Sequence, residues 1–174
     1  MRHILLWMAR NRWLKEHLPR LPFARRAVRR FVPGETADEA LAAAEPFRAH
    51  GIGVLFTRLG ENLSDLGEAQ AVADHYHGLI DQIASSELDG EISVKLTQLG
   101  LDLDPDATFG HVASLAEHAA RSGKTFWIDM EGSAYTEATV SMYERLKAEQ
   151  PNVGVCLQAY LRRTPADLHR LLPL

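Results

Sequence analysis

Ile92-Ser-Val-Lys-Leu-Thr97, Thr125-Phe-Trp-Ile-Asp-Met130 and Val153-Gly-Val-Cys-Leu-Gln158 decide the fold. Each is a six-residue run rich in β-formers, and helical spacing fills the gaps between them. After the first run, Pro105 stands where a first helical turn accepts proline. Val112, Leu115, Ala116 and Ala119 then form a stripe ending before Gly123. After the second, Thr136 opens a helix with Val140, Tyr143 and Leu146 inward, which Pro151 ends. Upstream, Ile52-Gly-Val-Leu-Phe-Thr57 is a fourth run. Its helix has Ser64 near the cap and carries Leu66, Ala69, Val72, Tyr76, Leu79, Ile80 and Ile83. Before that run, Thr36 and Glu39 have capping-box spacing, and a helix is expected to about His50, ended by Gly51. Downstream, Thr164, Pro165 and Asp167 open a last helix with Leu168, Leu171 and Leu172. Four βα units in succession predict an α/β fold with a parallel sheet and helical crossovers.

Side chains alternate across a strand. Ile92, Val94 and Leu96 share one face of the second strand, and Ser93, Lys95 and Thr97 the other. In the third, Phe126, Ile128 and Met130 oppose Thr125, Trp127, Asp129 and Glu131; in the fourth, Val153, Val155 and Leu157 oppose Gly154, Cys156, Gln158 and Tyr160. One face of each strand is therefore apolar and suited to covering helices. The other turns polar toward its C-terminal end, at Lys95, Asp129 and Gln158. In a (βα)8 barrel of the TIM type that second face points into the barrel, and its C-terminal end is where active sites lie. Burying an unpartnered lysine or aspartate is costly. The same choice on three successive strands predicts a shared polar pocket; the alternative is a core ion pair of Lys95 and Asp129 with no chemistry.

The 174 residues suffice for a sizeable core, at 46% hydrophobic and 24% charged. No segment approaches the roughly 20 apolar residues of a membrane span. A single cysteine, Cys156, excludes an internal disulfide and suits a reducing cytoplasm. The net charge of −4 is unevenly placed. Residues 1–34 hold nine Lys/Arg and one acid, Glu16; the rest carries a net of −12. Two domains are therefore expected, a basic helical arm over residues 1–34 and a βα body over 35–174. The arm makes a poor signal peptide, because Arg10 and Arg12 follow its short apolar stretch directly. Contact with an anionic membrane surface and packing on the acidic body are both open readings. Nothing points to nucleic acid as a partner.

Other motifs are weaker. Gly51-Ile-Gly53 precedes a strand instead of following one, so it is no dinucleotide fingerprint. His75 and His77 point to different sides of one helix, and solvated helix faces account for His111 and His118. No metal site is expected. Mid-strand Cys156 reads as a small barrel filler.

Four motifs resemble those of the flavin-dependent proline dehydrogenases, in order and over residues 35–174. They are Gly51-Ile-Gly-Val with Leu59-Gly60-Glu61, Ser93-Val-Lys-Leu-Thr-Gln-Leu-Gly-Leu-Asp102, Asp129-Met-Glu-Gly-Ser-Ala-Tyr-Thr136, and Val155-Cys-Leu-Gln-Ala-Tyr-Leu161. The resemblance is to the monofunctional bacterial members. It implies a (βα)8 barrel binding FAD, oxidation of L-proline to 1-pyrroline-5-carboxylate, and electron transfer to a membrane quinone. By matching positions, Lys95 would hold the substrate carboxylate, Asp129 would orient the polar groups of the pocket, and Gln158 would hydrogen-bond the flavin. The family's later strands are absent from these residues. The chain is thus expected to be the N-terminal half of such a barrel, truncated and inactive alone, with open sheet edges that favour self-association. Two alternatives remain: an aldolase-like barrel using Lys95 as a Schiff base, and a non-catalytic fragment that pairs with a complementary half.

Overall fold

The computed structural model describes residues 32, 34, 36–60 and 63–174. The expected helices of the basic arm lie outside the described residues. Contacts divide the chain into Met1–Glu45 and Pro46–Leu174. Helix α1 (Ala37–Arg48) begins as its spacing predicts, with Glu39 N–H donating to Thr36 Oγ1 at 3.2 Å.

Four βα units follow in order: β1 (Val54–Phe56), α2 (Leu66–Ser85), β2 (Gly90–Val94), α3 (Pro105–Arg121), β3 (Phe126–Ile128), α4 (Thr136–Glu149), β4 (Val153–Val155) and α5 (Thr164–Leu171). The sheet is parallel throughout, in the order β1-β2-β3-β4. Parallel neighbours need a crossover, and α2, α3 and α4 supply it. Each crossover helix buries the stripe read from its spacing, except that Leu66 at the start of α2 is 41% exposed. On α2 it is Ala69, Val72, Tyr76, Leu79, Ile80 and Ile83; on α3, Val112, Leu115, Ala116 and Ala119; on α4, Val140, Tyr143 and Leu146. They cover the apolar strand face, where Ile92, Val94, Phe126, Ile128 and Val153 are 0–2% exposed. Each such side chain contributes about 1.5–3 kcal/mol on burial.

Ser64 stands beside the α2 cap as expected: Asp65 is the cap and accepts from Glu68 N–H, while Ser64 N–H donates to Glu68 Oε2 at 2.6 Å. Two expectations are corrected. The second strand stops at Val94, and Leu96–Leu99 form a 3₁₀ turn ended by Gly100 at φ 98°. Glu131 imposes that bend: it is buried and takes both the N–H and the hydroxyl of Thr97, at 3.1 and 2.5 Å. Thr97 therefore leaves the strand. On α5 only Leu171 of the three leucines is buried; Leu168 and Leu172 are 47% and 68% exposed. Here charge outweighs the apolar stripe, because α5 docks on α4 through Arg163 and Arg170. Both bind Glu137, and they also engage Asp167 and Glu144 respectively.

No helix among the described residues is long and apolar enough to cross a membrane.

Candidate active site

The polar ends of the strands form a row. Register pairs Val94 with Ile128 and Ile128 with Val155. The ladder continues one bond further: Asp129 N–H donates to the Val94 carbonyl at 2.8 Å, and Cys156 N–H to that of Ile128 at 2.9 Å. Lys95, Asp129 and Cys156 therefore stand side by side just beyond the C-terminal ends of β2, β3 and β4. Neighbouring backbones lie about 4.8 Å apart. All three residues are half-buried. Alternation places them with Trp127 and Gly154, on the face opposite the helices. Burial pushes the Cys156 thiol up in pKa, and the neighbouring Asp129 carboxylate adds to the effect.

Gln158 stands two residues past this row, since β4 ends at Val155 and the chain turns away. Its Nε2 donates back to the Met130 carbonyl at 3.2 Å, and its own carbonyl accepts from Thr164 Oγ1 at 2.5 Å. Its Oε1 is buried with no partner among the described residues. The three polar residues thus gather at one end of the sheet, with Cys156 in the place where equal heights would have put Gln158.

Side chains that the sequence reading gave no role hold this end together. Gln98 and Glu131 each reach from one strand-end loop to a neighbouring one, and Tyr76 reaches in from α2. Gln98 Nε2 donates to the carbonyls of Arg58 and Gly60, at 2.7 and 2.5 Å, and so fixes the loop after β1. Glu131 fixes the turn after β2 through Thr97. Tyr76, buried on α2, accepts from Arg58 N–H at 3.0 Å and donates to the Ser93 carbonyl at 3.1 Å. Its hydroxyl bridges β1 and β2 where their own ladder has ended. Burial pushes the Tyr76 pKa up; its hydrogen-bond partners and Arg58 oppose this, and Asp129 adds to it. A tyrosine inside an apolar stripe was the available signal, because a buried phenol needs a partner.

Lower on the same face, Glu91 accepts from Trp127 Nε1 at 2.6 Å and from Thr125 N–H at 3.1 Å. Burial pushes its carboxyl up, but these bonds and Lys124 outweigh it, and the net pKa is lowered. The indole lies across Gly154, where no side chain is in the way. Further out the face is open: Leu55 is 50% and Tyr160 80% exposed. A separate cavity of about 310 Å³ lies beside the β1 loop, between Arg58, Leu63, Glu68 and Gln98. None of Lys95, Asp129 and Gln158 lines it. Among the described residues, no group of three or more His, Cys, Asp or Glu is placed to hold a metal ion.

A family model described as proline dehydrogenase matches residues 40–174. Proline dehydrogenase 1 of Bacillus subtilis strain 168 is 31% identical over 171 residues, covering 98% of this chain and 56% of that protein. Proline dehydrogenase 2 of the same strain is 26% identical over 148 residues, covering 85% of this chain and 49% of that one. The proline dehydrogenase of Deinococcus radiodurans is 27% identical over 143 residues, covering 79% and 46%. The chain spans about half the length of the curated relatives it matches. Among solved structures, proline utilization A from Bdellovibrio bacteriovorus, inactivated by N-propargylglycine, shares the fold. Its TM-score is 0.72 at 22% identity, over 82% of this chain and 18% of that one.

Proposed function

Because this chain belongs to the proline dehydrogenase family, we propose that it supplies part of a site oxidising L-proline to 1-pyrroline-5-carboxylate, with FAD as acceptor and a quinone as the onward oxidant. The observation that carries the reading is the row of Lys95 and Asp129 at the strand ends, with Gln158 beside it. In this reading the Lys95 ammonium pairs with the substrate carboxylate and sets which end of proline enters. Asp129, between Lys95 and Cys156 in the row, orients the polar groups around it. Gln158 would hold the flavin ring. Its orphaned Oε1 fits that role, because a buried acceptor without a donor costs about 1–3 kcal/mol. A flavin ring N–H would relieve that cost once the amide turns toward the mouth. When bound, FAD would supply the acceptor for the hydride of the C5–H bond beside the ring nitrogen, whose N–H proton also leaves as the C=N bond of 1-pyrroline-5-carboxylate forms. The stitched loops keep the row rigid, so orientation is set before substrate arrives.

The test uses the chain as it stands and the chain joined to the C-terminal portion of the Bacillus subtilis relative. Lys95→Ala raises KM for proline at least tenfold with flavin content unchanged. Gln158→Ala lowers flavin affinity or shifts its reduction potential. Equal loss of FAD in both variants overturns the assignment. We place the protein in the cytoplasm, with its basic leader touching the anionic inner leaflet where a quinone is met. Co-sedimentation with phosphatidylglycerol vesicles that is no weaker after removal of residues 1–34 refutes that placement.

A further inference from the structure

Helices α2 and α3 meet over a polar contact that proline oxidation does not use. His77 and Asp81, one turn apart on α2, face Ser114 and His118, one turn apart on α3. The two imidazoles are stacked, with centroids 5.0 Å and planes 26° apart, and their Nδ1 atoms are 2.8 Å from each other. The far nitrogen of each ring is braced. His118 Nε2 lies 2.8 Å from Asp81 Oδ1, and His77 Nε2 lies 3.2 Å from Ser114 Oγ.

Ligating histidines are braced in this way, with one nitrogen on the metal and the other held by a carboxylate or another polar partner. We propose that His77 and His118 form a bidentate site for a divalent cation of octahedral or square-planar preference, Ni²⁺ or Cu²⁺, bound through the two Nδ1 atoms with water completing the shell. The separation carries the choice of geometry. Two bonds of about 2.05 Å at a right angle put their nitrogens about 2.9 Å apart, whereas a tetrahedral angle needs about 3.3 Å. The observed 2.8 Å is the length of the N–H···N bond of the metal-free pair and lies nearer the first; with centroids 5.0 Å apart the two Nδ1 atoms face each other, so the rings must tilt for both lone pairs to meet the cation.

The proton balance is simple. In the neutral pair one proton lies between the Nδ1 atoms, donated by His77. His118 Nε2–H is directed at Asp81, and the Ser114 hydroxyl donates to His77 Nε2. The cation takes the place of the shared proton, which His77 carries on Nε2 instead; the Ser114 hydroxyl rotates to accept it. No proton leaves the neutral pair. The His77 ring is half-buried. Asp74 and Asp81 add negative charge around the ring, and Arg121 opposes them. Asp81 is 71% exposed, so the contact is open to solvent on that side.

The experiment is Ni²⁺ titration of the 174-residue chain by calorimetry, with a parallel thermal melt. Ni²⁺ is preferred to Cu²⁺ because it spares the free thiol of Cys156 from oxidation. A His3→Ala background removes the separate chelate formed by a free amino terminus two residues before a histidine. One Ni²⁺ per chain is expected. At a hundredfold excess over Kd, the melting midpoint rises by about 5–10 °C. His77→Gln and His118→Gln abolish saturable binding, and Asp81→Asn weakens it about 10–100-fold. Should either glutamine variant lose its helical circular dichroism, Asp81→Asn and Ser114→Ala, both at exposed positions, decide the matter. No saturable binding, or unchanged affinity in the histidine variants or in both brace variants, overturns the proposal.

Discussion

Gly154→Ala probes the closest approach on the inner face. A Cβ built there would lie 2.5 Å from Trp127 Cε3 and 3.0 Å from Cη2, with Cζ3 nearer still. Ordinary contact begins near 3.4 Å, so the indole must move by about 0.9 Å or more. The ring is not free to do so, because its Nε1 donates to Glu91 Oε2 at 2.6 Å. Overpacking costs about 1–3 kcal/mol. Stretching a charge-assisted bond to a half-buried carboxylate adds part of a further 1.5–3 kcal/mol. The expected loss is about 2–4 kcal/mol, read from urea denaturation by far-UV circular dichroism. The cause is tested by a cycle with Trp127→Ala, which removes the ring. In that background Gly154→Ala should cost less than about 0.5 kcal/mol, a coupling of at least about 1.5 kcal/mol. A cost that is the same with and without the indole would refute the reasoning.

Three further outcomes are expected. Glu131→Ala, which removes two hydrogen bonds from Thr97, should destabilise the chain by about 2–4 kcal/mol in the same denaturation assay, and Glu131→Gln by less. Glu137 is held at a pKa of about 2 by hydrogen bonds from Arg170 and Arg163. A lowered carboxyl stabilises the fold above its unfolded pKa of about 4.3 and loses that contribution as pH falls toward 2, so Glu137→Gln should flatten acid unfolding in that window. Among the described residues β1 and β4 each have one neighbour, and edge strands with open backbone groups invite pairing. The 174-residue chain should therefore show concentration-dependent oligomers in sedimentation velocity; a monomer unchanged across a hundredfold range in concentration counts against it.

The sequence by itself determined the βα order, the parallel sheet and the buried stripe of each crossover helix. It did so because period 2 and period 3.6 are local consequences of backbone geometry, and burial selects one face of each. Alternation also placed Lys95 and Asp129 on one face at the strand ends, while Gln158 stands two residues past the place expected for it, which Cys156 takes. What it left undecided depends on partners distant in the chain. Glu131 ends β2 early by binding Thr97, 34 residues away. Gln98 holds the β1 loop from 38–40 residues away. The α5 leucines Leu168 and Leu172 stay exposed because ion pairs with α4 set the face that docks. His77, read as facing a different side of its helix from His75, and His118, read as a solvated position, touch because α2 and α3 cover neighbouring strands. Polar partners of this kind leave no periodic trace in a sequence. A hydrogen bond depends on the direction and distance of two atoms, and only the packed fold sets both.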